Sequence, residues 1–320
     1  MVKNIKLLLI TAVLVSLLLP CSIQAQENVL NFTDVEIPRG VLKQISNGKK
    51  TIIPGTKSNG KNWGNSLKVV TLSGKTNHFG MDITVDPPEF LDYHATVPGV
   101  TVWISEFPHT RYLGVETDET GWWTMHVIKY EGIDLEFSFV YEKEGWVTTK
   151  SNVITVTDED NTDLAIHYID PLFYYFAMKP YIEGMIRAVF DPDFIFENAL
   201  VVTVGKSWAS LHDDRLPHGD PGATATVTPS APGQPIGPVY FNEAVIPDPT
   251  YPYTSVDGGV SWFNMPLGET YFVTAMKPGV NYETVKFTVN ESDVEDGVEL
   301  YIASPPDSVE GDNDSGPGEF

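Results

Sequence analysis

Short apolar runs punctuate this chain. Val100 to Ile104, Trp123 to Lys129, Leu135 to Tyr141, Val153 to Thr157 and Leu164 to Tyr168 are rich in β-branched and aromatic residues, with Gly, Pro, Asp, Glu and Asn between them. Leu135 to Tyr141 alternates along most of its length, as a half-buried strand does. A second series repeats the texture at Thr224 to Thr228, Val260 to Phe263, Thr270 to Met276, Val285 to Val289 and Val298 to Ile302. Short strands at regular spacing predict an all-β chain made of sandwiches. Leu172 to Ile186 differs, because Phe173, Phe176 and Ala177 fall at helical spacing. Pro180 and Gly184 interrupt it, so the pattern predicts a short helix or two, packed against the sandwiches. Residues 26–89 are polar in their first part. They form an N-terminal arm, with Leu67 to Leu72 and Met81 to Val85 as candidate edge strands of the first sandwich. The tail 304–320, rich in Asp, Gly, Ser and Pro, is expected to be disordered.

The two series match in order. Pro98-Gly99-Val100 opens the first, followed by Thr117-Asp118-Glu119-Thr120-Gly121-Trp122-Trp123, a strand, and Lys143-Glu144-Gly145-Trp146. Pro221-Gly222-Ala223 opens the second, followed by Asp257-Gly258-Gly259, an aromatic strand, and Lys277-Pro278-Gly279-Val280. Shared landmarks in one order read as a diverged tandem repeat. The expected organisation is a first sandwich over 90–170, a helical connector over 171–198 and a second sandwich over 199–303. These turns, with Met265-Pro266-Leu267-Gly268 before the aromatic strand, resemble the carboxypeptidase regulatory-like domain across both units. The Pro-rich stretch from Pro229 to Pro252 departs from that pattern. The resemblance implies two tandem immunoglobulin/transthyretin-like sandwiches and an accessory role without catalytic residues.

The N-terminus changes the setting. Lys3 and Lys6 precede an apolar run, Leu7 to Leu19, and the small Ala25 precedes Gln26-Glu27-Asn28. This is the layout of a secretory signal peptide over residues 1–25. The run is short for a membrane span, and no later segment is long and apolar enough to be one. We read the product as bacterial and secreted, periplasmic or held at the cell surface. The only cysteine is Cys21. A lipid anchor there is the alternative to cleavage after Ala25, but Pro20 fits the small position of a lipoprotein signal poorly. Cleavage after Ala25 leaves no disulfide and no thiolate chemistry. The net charge of −23 argues against nucleic acid and anionic lipid as partners.

Three constellations are candidate sites. His212, Asp214, His218 and Asp220 carry the donor types of a divalent metal centre, although their spacing matches no zinc signature. A polar loop before the strand at Gly222 accounts for the same residues. Asp158, Asp160 and Asp163 offer oxygen ligands suited to calcium, the one cofactor considered, without an EF-hand pattern. Trp122, Trp123 and Trp262 can stack on sugar rings if they are exposed, or fill the core if they are not. No Gly-x-Ser-x-Gly element, phosphate loop or dinucleotide fingerprint is present. The leading reading is a non-catalytic binding or structural protein, with a polysaccharide or a protein as partner. The alternatives are a metal-assisted hydrolase built on the His212–Asp220 loop and a self-assembling surface subunit.

Overall fold

The computed structural model describes residues 42–44, 50–52, 67–78, 81–82, 89–90, 95–113, 115–205, 219–230 and 235–303. The signal-peptide expectation for residues 1–25, Cys21 included, and the tail at 304–320 lie outside them. In chain order the strands begin with β1 (Leu42–Gln44), β2 (Lys50–Ile52), β3 (Leu67–His78), β4 (Met81–Asp82), β5 (Glu89–Phe90) and β6 (Ala95–Thr96). They continue with β7 (Thr101–Ile104), β8 (Trp122–Tyr130), β9 (Leu135–Phe137), β10 (Phe139–Glu142), β11 (Thr148–Ser151), β12 (Ile154–Val156) and β13 (His167–Tyr168). The last seven are β14 (Ala199–Thr203), β15 (Thr224–Thr228), β16 (Ile236–Tyr240), β17 (Gly259–Phe263), β18 (Glu269–Met276), β19 (Val285–Val289) and β20 (Val298–Ala303). Helix α1 (Leu172–Val189) joins the halves, and a short α2 (Glu291–Glu295) precedes β20. The all-β expectation holds for the bulk of the chain.

The centre is a seven-stranded sheet in the order β16-β17-β14-β20-β11-β10-β7. It draws β7, β10 and β11 from the first half and the remaining four strands from the second. The seam is the pairing of β11 with β20, which is parallel, and β20 is also parallel to β14 on its other side. The expected division into units at 90–170 and 199–303 therefore coincides with no break in hydrogen bonding. One register row crosses six of the seven strands: Trp103, Val140, Lys150, Tyr301, Leu200 and Trp262. Residues directly opposite in a ladder share a face. Apart from Lys150, every member of that row belongs to one core cluster, closed from above by Ala225, Tyr271, Val273 and Phe287 of the β15-β18-β19 sheet.

The opposite face of the central sheet is covered in two parts. Val102, Ile104, Phe139 and Tyr141 pack with Val70, Leu72, Trp123 and Met125 of β3 and β8. Ala199, Phe263 and Leu300 pack with Tyr175 and Ile186 of α1 and with Phe194 and Phe196 after it. β3 was expected at an edge, but it pairs with β8 along one side and with β13 on the other. Its Val70 and Leu72 are wholly buried, which makes it part of the first half's core.

Local design recurs in the two halves. The Thr117 hydroxyl donates to the Val97 carbonyl (2.7 Å) and accepts from the Val100 amide (2.9 Å). The Thr254 hydroxyl does the same with the Asp220 carbonyl (2.6 Å) and the Ala223 amide (2.9 Å). Gly121 receives the Thr76 amide and Gly258 the Val204 amide, both at 2.9 Å. Both glycines have positive φ, 79° and 76°. A Cβ on Gly121 would stand 2.7 Å from the Thr76 carbonyl oxygen, and one on Gly258 would stand 2.4 Å from that of Val204. Only glycine fits either place. β3 thus corresponds to β14, and β8 to β17.

Two expectations are corrected. Leu135 to Tyr141 is not one strand. It breaks at Ser138, whose amide donates to Glu106 (2.9 Å) and whose carbonyl accepts from Ser105 (2.9 Å). β9 then pairs with β12, while β10 pairs with β7 and β11. The connector is one unbroken helix through Pro180, whose ring lies on the exposed side. Packing of the other side on the sheet outweighs the single hydrogen bond that proline removes.

Lys150 is the polar member of the apolar row, fully buried, and its ammonium lies 2.9 and 3.1 Å from the two carboxylate oxygens of Asp293. Asp293 also accepts the Tyr301 hydroxyl (3.1 Å) and the Asn290 amide (2.8 Å), the latter as half of a capping box on α2. Removing one partner of a buried pair strands the other charge. Asp293→Ala is expected to cost roughly 3–5 kcal/mol in urea unfolding, and Lys150→Met combined with Asp293→Asn to recover most of that loss. A cost below about 1 kcal/mol for Asp293→Ala would show that the pair does not hold the seam.

Candidate functional site

A cleft of about 370 Å³ with mixed lining lies beside the seam. Its floor is Phe139, Tyr141 and His167, and Glu136 and Lys286 stand at its mouth. The topology creates it. After Ser138 the chain crosses from the β9-β12 pair into the central sheet, leaving a gap that the start of β19 only partly closes. Lys286 spans that gap twice: its carbonyl accepts the Val153 amide (2.7 Å), and its ammonium meets Glu136 (2.6 Å).

His167 is buried on the floor. Its ring stacks on Tyr141, with centroids 3.7 Å apart and planes 10° from parallel, and Nε2 bonds the Thr149 hydroxyl at 2.7 Å. Burial lowers its pKa to about 3, so the imidazole is neutral at physiological pH. Burial also raises the pKa of Tyr141, which stays protonated. Two carboxylates line the cleft: Glu136, paired with Lys286, and the exposed Glu283. A neutral imidazole and a protonated phenol can hydrogen-bond a neutral polar group.

The residues singled out from the sequence do not converge on this cleft. His212, Asp214 and His218 lie outside the described residues. Asp220, the fourth member, is buried, with its carboxylate bonded by the Lys277 ammonium and by the Tyr282 hydroxyl at 2.5 Å. It braces the loop at the base of β15. Next to it, Gly219 packs so closely on Gly258 that a Cβ would meet the Gly258 nitrogen at 2.1 Å.

The three acids considered for calcium lie at the loop after β12. Asp158 accepts from the buried Lys129 ammonium and from the Gly132 amide (2.7 Å), and these bonds hold its pKa below the usual carboxylate range. Asp160 accepts the Thr71 amide (2.7 Å). The Asp163 amide donates to Asn161. The loop is thus fastened to β3 and β8 by its own acids. Among the described residues, no group of three or more His, Cys, Asp or Glu side chains is placed to hold a metal ion. Of the three candidate tryptophans, Trp123 (2 % exposed) and Trp262 (1 %) are core, and Trp122 (37 %) reaches the surface. Alternation explains the split, since neighbours in a strand point to opposite faces. Among the described residues, no helix is long and apolar enough to cross a membrane.

No family model matches the chain, and no curated protein matches it. Among solved structures, two variants of the shaft pilin SpaA from Lactobacillus rhamnosus GG are similar at 11% identity, covering 77% of this chain and 99% of theirs. Their TM-scores are 0.21 for a double mutant and 0.17 for a single mutant. At scores of that size neither arrangement nor role carries over.

His167 sets a pH dependence whose sign is fixed. Its folded pKa is depressed to about 3, so the unfolded chain takes up the proton first as pH falls below about 6.5. The neutral ring's contribution is whole above that value and is lost on the way down to about 3. Asp170 and Asp257, raised by burial to about 7 and about 6, act in the opposite direction, so the difference between variants is the clean readout. The stability gap between the natural chain and His167→Gln is expected to shrink by roughly 3 kcal/mol from pH 7 to pH 4 in urea titrations. A gap constant across that range would contradict a buried neutral ring.

Proposed function

We propose that this chain is a non-catalytic, exported structural protein: two fused copies of one transthyretin-like β-sandwich unit, acting as a single stiff body that transmits load between its ends. The observation that carries this reading is the position of β20. The last strand among the described residues lies inside the central sheet, between β14 and β11 and parallel to both. Tension along β20 must shear two hydrogen-bond ladders at once, rather than peel one pair open from an end. Lys150 and Asp293 fasten the segment just before it to the other half. The recurrent Thr117 and Thr254 bonds, with the paired turn glycines, support reading the halves as copies of one unit. The carboxypeptidase regulatory-like resemblance belongs to the same proposal, on the turn motifs alone. The signal-peptide layout supports export.

Sheet ends are blunted in this reading. β16 carries Pro238, and residues 115–117 bond along the outer side of β7. Strand addition at these edges is therefore not the mode of action we favour.

Pulling on residues 67 and 303 with optical tweezers tests the proposal. A single rupture should release about 80 nm of chain, both halves together, at the length of an extended residue. Two separate ruptures, each releasing about half that length, would show independent beads and end the reading.

A further inference from the structure

A second cavity lies under helix α1, between it, the central sheet and the loop after β16. It holds about 80 Å³, roughly half the volume of an apolar cavity that admits benzene. Its walls include five aromatic rings, Tyr174, Tyr175, Phe196, Phe241 and Phe263, and a single charged side chain, Asp170. Tyr174 and Tyr175 come from the first turn of α1, and Asp170 from just before it. Capping does not account for that acid. A carboxylate ahead of a helix commonly bonds its first amides, but α1 has no side-chain cap bond. The Asp170 backbone carbonyl accepts the Val147 amide (2.9 Å). Its carboxyl has no hydrogen bond or ion pair with any described residue, and burial alone raises its pKa to about 7. A carboxyl so placed lacks a partner that the described chain does not supply.

The walls select the chemistry of the missing partner. Aromatic faces are negative and attract organic cations. Two of these rings already do so within the chain. The Lys179 ammonium, from outside the wall, lies 5.7 Å from the centre of the Tyr175 ring and 5.1 Å from that of Phe196. Asp170 bears on the Tyr174 phenol as a negative charge, and Glu299 and Glu183 bear on that of Tyr175. The net charge of −23 draws cations towards the whole surface. A calcium or magnesium ion needs more oxygens than one carboxylate among rings provides. A wholly apolar molecule would leave the carboxyl unpaired. An ammonium on a short carbon stem satisfies both the acid and the rings.

We propose that this cavity binds a small organic ammonium, a primary amine on a stem of a few carbons, with its charged head on Asp170 and its stem against the rings. A free amine and a lysine side chain of another protein share that chemistry. The site goes beyond the load-bearing reading and does not depend on it, because occupancy is measured on the unstretched chain.

Saturation-transfer NMR with n-butylammonium tests it, at about pH 8, above the pKa of Asp170. Saturable binding in the millimolar range is expected of so few heavy atoms. The uncharged n-butanol, of the same shape, should bind at least about tenfold more weakly. Asp170→Asn should leave circular dichroism unchanged and weaken n-butylammonium at least about tenfold, with n-butanol unaffected. If N-acetyl-lysine methylamide binds as well as n-butylammonium, the occupant is a lysine side chain; if it is excluded, the occupant is a free amine. Absence of saturable binding to the natural chain would overturn the proposal and leave a cavity filled by water alone. Equal affinity for n-butanol would overturn it too, as would n-butylammonium binding indifferent to Asp170→Asn. Should Asp170→Asn fail to fold, the comparison of the two ligands on the natural chain decides by itself.

Discussion

The structure depends on one parallel seam, β11 against β20. Everything else is arranged so that this seam can exist. Parallel strands cannot be joined by a tight turn, and the two strands are separated by most of the second half of the chain. The seam joins strands of the first half to strands of the second in one sheet. It also puts the row Trp103, Val140, Lys150 beside the row Tyr301, Leu200, Trp262. A lysine in such a row must be neutralised within the core. Asp293, fixed by a capping box at the start of α2, does so. One covalently local device, a helix cap, thus serves a contact that is remote in sequence.

The sequence carried the strands and turns well, because both are local. Thr224 to Thr228 and Val285 to Val289 are found with the bounds that alternation gave them. The matched Gly residues of the two series all adopt positive φ, as their turn contexts required. What escaped was set by distance. Nothing near Ser138 announces that the chain changes sheets there, since the deciding bonds come from Ser105 and Glu106. The strand Ala199–Thr203 is half the seam's support, and it passed without notice beside the louder aromatic runs. Pro180 argued for a broken helix, but the sheet beneath the helix outweighed it.

The candidate site was less legible, for a related reason. Acids and histidines were weighed as ligands, and the structure uses the described ones as fasteners. Asp158, Asp160 and Asp220 each satisfy a lysine, a backbone amide or a tyrosine. A signal for Lys129 was available. Trp123, Met125, Val127 and Lys129 alternate along β8, so the lysine must point inward and demand an acid. Asp158 answers that demand. For His167 no comparable signal exists, because a two-residue strand shows no period.

The seam also governs the order of events during synthesis. A chain made from its N-terminus presents β7, β10 and β11 long before β20 appears. Until then β11 keeps one edge open, and Lys150 awaits Asp293, 143 residues downstream. The first half therefore cannot reach its final stability before the second is made, and contacts so distant in sequence make the completed sheet slow to form. Completion comes when β20 slides between its two neighbours. In this way a late strand sets the moment at which the whole sheet locks.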